Sequence, residues 1–185
     1  MKRIAIALLL LALAACGGSE WRPLEVPDGA FAALMRGQPH YARQTLDTPA
    51  GQMQAHLYSS DRPDAYYAIG FSDYPLTFAI QTQAEEILNG VRDTWVKRIN
   101  GKLVTSGREA HDKNPGLQFT ARGTFRDRDV LLDARLYLVD QRLYQLVAIT
   151  RTAETPQGVV NRFFKSFRLA PPGAVGELKF DAPNK

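Results

Sequence analysis

The chain has 185 residues, of which 45% are hydrophobic and 23% charged, a balance that fits a folded domain of ordinary size and excludes disorder along the whole length. The formal charge is +4, but Lys2 and Arg3 belong to a leader segment, and without them 21 basic side chains face 19 acidic ones. The pI near 9.3 is therefore no argument for nucleic acid, and no Lys/Arg cluster with interleaved aromatic residues supplies the footprint such a partner needs.

Met1-Lys2-Arg3 forms a positive start, and Ile4 to Leu13 is an apolar run too short to span about 30 Å of hydrocarbon as a helix. The run ends in Leu13-Ala14-Ala15-Cys16, followed by Gly17-Gly18-Ser19. Cys16 has no second cysteine to pair with. This stretch resembles the lipobox of bacterial lipoproteins. The resemblance implies that residues 1–15 are a signal peptide cut before Cys16. The cysteine would then carry a diacylglycerol and an acylated amine, palmitate-type chains that hold the protein on a membrane far more firmly than one chain would. Gly17 stands where an Asp would favour retention at the inner membrane, so the outer membrane, on its periplasmic leaflet, is the expected site. Residues 16–22 form the lipidated cysteine and a short tether, 23–169 a single domain, and 170–185 a loosely ordered tail.

Within the domain, Trp21 to Pro27 leads into a strand with Leu24 and Val26 on one face. Phe31 to Met35 fits either one helical turn or a short strand, and Arg36-Gly37-Gln38-Pro39 is a turn. Strands are expected at Tyr41 to Thr48, Gln52 to Tyr58 and Ala65 to Phe71, joined at Thr48-Pro49-Ala50-Gly51 and Asp61-Arg62-Pro63-Asp64. After Asp73-Tyr74-Pro75 the period becomes helical. Thr82 and Glu85 have the spacing of a capping box, and Ala84, Ile87, Leu88, Val91, Trp95 and Ile99 make one apolar stripe ending at Asn100-Gly101. Gly90 inside that helix suggests close packing.

Leu103 to Ala110 and Leu117 to Phe125 read as further strands. The clearest signal follows at Val130 to Thr150. Leu132, Ala134, Leu136 and Leu138 alternate with Asp133, Arg135 and Tyr137, a half-buried strand, and Asp140-Gln141 turns the chain. The return stretch Leu143 to Ile149 is apolar nearly throughout, as an interior strand covered on both faces would be. Thr155 and Pro156 open a second helix as N-cap and first residue, with Val160, Phe163, Phe164 and Phe167 as its apolar face. The expected fold is α+β: a mostly antiparallel sheet of about six to seven strands packed with two main helices.

Several short motifs run through the domain: Gly37-Gln38-Pro39, Asp73-Tyr74-Pro75, Gly107-Arg108-Glu109, the paired Arg135/Tyr137 and Arg142/Tyr144, and the Phe163 to Phe167 helix. With them the chain resembles uncharacterised bacterial proteins and lipoproteins, and its layout is similar to the PsbP/Mog1-like α/β/α sandwich. That resemblance implies an accessory or assembly domain more than an enzyme.

His40, His56 and His111 show no metal-ligand spacing, no G-x-S-x-G or S-x-x-K pattern marks a nucleophile, and no Gly-rich loop opens a helix. No catalytic residue, metal or cofactor is expected. Arg108, Glu109, Arg135 and Arg142 admit two readings. They are cross-strand ion pairs, or they contact an anionic ligand or a partner with Tyr137 beside Arg135 as anchor. Tyr67 or Tyr74 could rim a groove in the second reading. The function expected first is a membrane-anchored envelope lipoprotein with a non-catalytic binding domain, whose partners are membrane lipid through acylated Cys16 and an envelope protein. The alternative is a periplasmic binder of a small ligand or lipid, or an enzyme, using a groove between helix and sheet.

Overall fold

The computed structural model describes residues 20–151 and 155–170. Residues 1–19, Cys16 among them, residues 152–154 and residues 171–185 lie outside the described residues, and so do the expectations attached to them.

Among the described residues ten strands form two antiparallel sheets, joined by three helices. The elements are β1 (Trp21–Val26), β2 (Phe31–Arg36), β3 (His40–Thr48), β4 (Gly51–Asp61), β5 (Ala65–Asp73), α1 (Leu76–Gln81), α2 (Ala84–Arg98), β6 (Lys102–Arg108), β7 (Gly116–Phe125), β8 (Arg128–Val139), β9 (Arg142–Arg151), α3 (Gln157–Lys165) and β10 (Arg168–Leu169). The large sheet runs β3-β4-β5-β9-β8-β7-β6, and the small one β1-β2-β10. Every neighbouring pair in the large sheet except β5 and β9 is consecutive in the chain, which is why short hairpin turns suffice. The fold is α+β as expected, and its large sheet of seven strands falls within the six to seven read from the sequence.

β9 lies at the centre of the large sheet, as its unbroken apolar run predicts, and both of its faces are covered. Ala68, Leu132, Ala134, Leu136, Leu138, Leu143, Val147 and Ile149 pack on one face with Ile87, Leu88 and Ile99. Tyr67, Ile69, Tyr137, Tyr144, Leu146 and Ala148 pack on the other, beneath the small sheet and α3. The molecule is thus layered: α1 and α2, the large sheet, then α3 with the small sheet. Phe31 lies in the third layer with Tyr58, Phe71, Tyr144 and Phe167 around it at centroid distances of 5.6–6.2 Å. Ring contacts of this kind add to the area that burial removes from water.

Phe31 to Met35 is a strand, and it belongs to a second sheet that the sequence did not announce. Phe31, Ala32, Ala33 and Met35 are buried and Leu34 half-buried, with no period to reveal a face. Arg36 at its end fastens the small sheet to the β4–β5 turn. It bonds Asp64 at 2.5 Å and makes a close charge contact with Glu20 at 2.8 Å.

Three local expectations are corrected. Thr82 does not cap α2: it ends the short α1, Gln83 is the N-cap, and no side chain bonds the free amides. Thr155 does not cap α3 either. Pro156 is the N-cap, while the Thr155 hydroxyl donates to the Asp64 backbone oxygen at 3.0 Å. Gly90 is exposed, and a Cβ placed on it meets nothing within 4 Å, so close packing does not account for it.

Candidate functional site

On the face of the large sheet that carries α3, β8 presents Asp133, Arg135 and Tyr137 between its apolar positions. The register sets Gln118 opposite Arg135, Thr120 opposite Asp133, Gly107 opposite Gln118 and Thr105 opposite Thr120. Direct cross-strand partners share a face, so these side chains form one polar floor. Helix α3 crosses above it with Gln157, Asn161 and Phe164. The space between is a groove of about 350 Å³. That volume is at the small end of ligand sites.

At one end of the groove the charges are already paired. The Arg135 guanidinium lies 2.8 Å from Glu109 Oε1 and sits over the Phe164 ring at 4.9 Å. The Tyr137 hydroxyl donates to the same Glu109 oxygen at 2.9 Å. Glu109 stands just beyond β6, and its N–H bonds the Gly116 carbonyl at 3.0 Å, closing the loop. Within that loop His111 pairs with Asn114 and packs on Tyr137 and Phe167 at 4.9 and 5.4 Å. Burial, and after it the charge of Glu109, hold the Tyr137 phenol far above its ordinary value. Burial also holds the His111 imidazole below the usual histidine range.

Asp133 is different. Its Oδ1 accepts from the Thr120 hydroxyl at 2.7 Å, but its Oδ2 is buried with no hydrogen-bond partner. Burial pushes this carboxyl above the ordinary carboxylate range, against the Thr120 bond and the Arg135 charge. An acceptor left bare in this way costs free energy that a ligand donor would recover.

Of the residues expected to bind, the structure brings together Glu109, Arg135 and Tyr137. Arg108 points to the opposite face and meets Glu85 of α2 at 2.5 Å, largely in solvent. Tyr74 lies on the α2 side, stacked on Phe78 at 5.3 Å. Arg142 grips both oxygens of Asp73 at 2.6 and 2.8 Å, and bonds the Asp28 carbonyl. Tyr67 is fully buried against Trp21 and Phe163 and rims no groove. Ion pairs therefore engage all four charged residues of that set, Arg135 with Glu109, Arg108 with Glu85 and Arg142 with Asp73. Asp133, Thr120, Gln118 and Asn161 were not singled out in the sequence. Their signal is the run of polar residues on the same face of β7 and β8, where α3 passes above.

A second cavity of about 240 Å³ opens at the end of the sheet beside Asp61, Asp64, Arg126 and Arg128, with Arg126 paired to Asp61. Among the described residues no three His, Cys, Asp or Glu side chains converge to hold a metal ion.

No family model matches this chain, and no curated protein matches it. Solved structures do. Cyanobacterial PsbP (CyanoP) from Synechocystis sp. PCC 6803 superposes with a TM-score of 0.56 at 13% identity, over 85% of this chain and 98% of that one. A Pseudomonas aeruginosa protein of unknown function, described as a putative regulator, gives 0.41 at 10% identity, over 64% of this chain and 90% of that one. The fold is PsbP-like, as the order of segments in the sequence implies.

Proposed function

We propose that this chain is a lipid-anchored protein of the bacterial envelope whose PsbP-like domain binds, rather than transforms, its ligand or partner. The anchoring half of the reading is supported by Leu13-Ala14-Ala15-Cys16 behind a basic start and a ten-residue apolar run. The residue after the cysteine, Gly17, favours the periplasmic leaflet of the outer membrane over the inner membrane. Acylated Cys16 holds membrane lipid, and an envelope protein is the macromolecular partner.

One observation carries the binding half. Arg135 and Tyr137 are both held on one oxygen of Glu109, so this end of the groove is a fixed hydrogen-bonded wall. Preorganised polar surfaces of this kind recognise ligands at little ordering cost. The groove also favours the small-ligand alternative over a lipid one, because its floor is polar rather than apolar.

The test is to label cells with an alkyne fatty acid, compare the native chain with Cys16→Ala, and separate inner from outer membrane. Label that depends on Cys16 and sediments with the outer membrane is expected. A soluble, unlabelled native protein would overturn the anchored reading.

A further inference from the structure

We propose that the groove between α3 and the β6–β8 strands is a binding site for a small, neutral, polyhydroxylated ligand, a saccharide unit, with Asp133 accepting a hydrogen bond from one of its hydroxyls. This rests on the binding reading of the domain and gives the ligand a chemical class.

The choice follows from which charges in the groove are free. Among the described residues that line it the one cation is Arg135, engaged by Glu109 and covered on one face by Phe164. An anionic ligand would have to break that pair and would meet the uncompensated carboxylate of Asp133. A cationic ligand would satisfy Asp133 but would sit near Arg135, two residues along the same strand and on the same face. An apolar chain would bury the floor made by Thr105, Gln118 and Thr120 without offering bonds in return, which costs free energy for each group left dry.

A neutral ligand with several hydroxyls meets none of these objections. Asp133 lines the groove with a carboxyl that lacks a partner at one oxygen and takes a donor, and the neighbouring groups include amides and hydroxyls that both donate and accept. Gln118 rises from the floor and Asn161 descends from α3, so a ring held between them can be bonded on two sides. The support beneath is the β8-β7-β6 end of the seven-stranded sheet, where Phe119 and Ala134 are both buried.

The experiment uses the full chain, isotopically labelled, in a detergent without a sugar headgroup. Glucose and N-acetylglucosamine are titrated in turn, then putrescine as the cationic probe and inorganic phosphate as the anionic one, while backbone amide resonances are followed. Saturable shifts at Thr105, Gln118, Thr120, Asp133 and Asn161 with a neutral sugar, at millimolar affinity, are expected. Asp133→Asn should weaken that binding about tenfold, the loss of one charge-assisted hydrogen bond. Asn161→Ala, a change on the half-exposed face of α3, should weaken it about fivefold and guards against a misfolded first variant. Shifts in the groove with putrescine or phosphate alone would overturn the saccharide class and leave the groove a binding site. No saturable shift in the groove with any probe would overturn both, and would leave the Cys16 labelling result standing.

Discussion

The Tyr137 hydroxyl donates to Glu109 Oε1 at 2.9 Å, although Tyr137 lies on β8 and Glu109 in the loop after β6, a partnership invisible in sequence spacing. The same oxygen holds Arg135 at 2.8 Å. One acceptor thus fixes two side chains of β8, and it does so from a loop whose own closure depends on Gly116.

This shared acceptor predicts non-additive mutations. Tyr137→Phe removes one hydrogen bond and should cost about 1 kcal/mol. Glu109→Ala removes both contacts, leaves Arg135 without its partner, and should cost about 2 kcal/mol, a figure kept low because both charged side chains are partly exposed. The double variant should cost less than the two together, with a coupling of about 1 kcal/mol. Denaturant midpoints at unchanged slope are the readout. Additive losses would show that the bond contributes nothing of its own.

Two glycines predict opposite signs. Gly90 lies in the exposed interior of α2, where a Cβ meets nothing within 4 Å, so Gly90→Ala should stabilise by about 1 kcal/mol. Gly37 has φ +88°, and a Cβ there would lie 2.8 Å from Ser60 Oγ, whose hydroxyl bonds the Arg36 carbonyl. Gly37→Ala should therefore destabilise by about 1–2 kcal/mol. Thermal or chemical unfolding of the two single variants checks both signs at once, and equal effects would contradict the backbone argument.

What could be read from the sequence was what periodicity controls. The alternation at Leu132 to Leu138 and the unbroken run at Leu143 to Ile149 announced β8 and β9, and the interior position of β9, though not the strand order, because one covered face imposes period two and two covered faces impose none. The stripe from Ala84 to Ile99 gave α2 and the side it packs on. The small sheet was not legible, because Phe31 to Met35 is buried without a pattern and its pairing with β10 spans most of the chain. The Thr82 cap failed because a second helix, α1, begins at Leu76 and uses Thr82 to end itself. The groove was half legible. Arg135, Tyr137 and Glu109 stood out as a polar group, whereas Asp133 read as a solvent-facing position. It is half-buried, with one carboxyl oxygen shut off from water beneath α3, and a tertiary crossing leaves no trace in local spacing.

The last prediction concerns acid. His111 lies against Tyr137 and Phe167, and burial lowers its pKa below the unfolded value of 6.5. Asp112 and Glu109 oppose that shift, while Arg168 and Arg135 reinforce it. The folded state therefore binds a proton less readily than the unfolded chain does. The stability this contributes is present in full above the unfolded value and is lost as pH falls through the folded one. Between about pH 7.5 and pH 5 the native chain should lose thermal stability, and His111→Phe, which keeps an aromatic ring and cannot take up a proton, should lose less. Melting curves of both proteins across that range decide the matter. Parallel losses would mean that the loop over Tyr137 opens or rehydrates before His111 is protonated, and that the sensitivity to acid resides in the carboxylates instead.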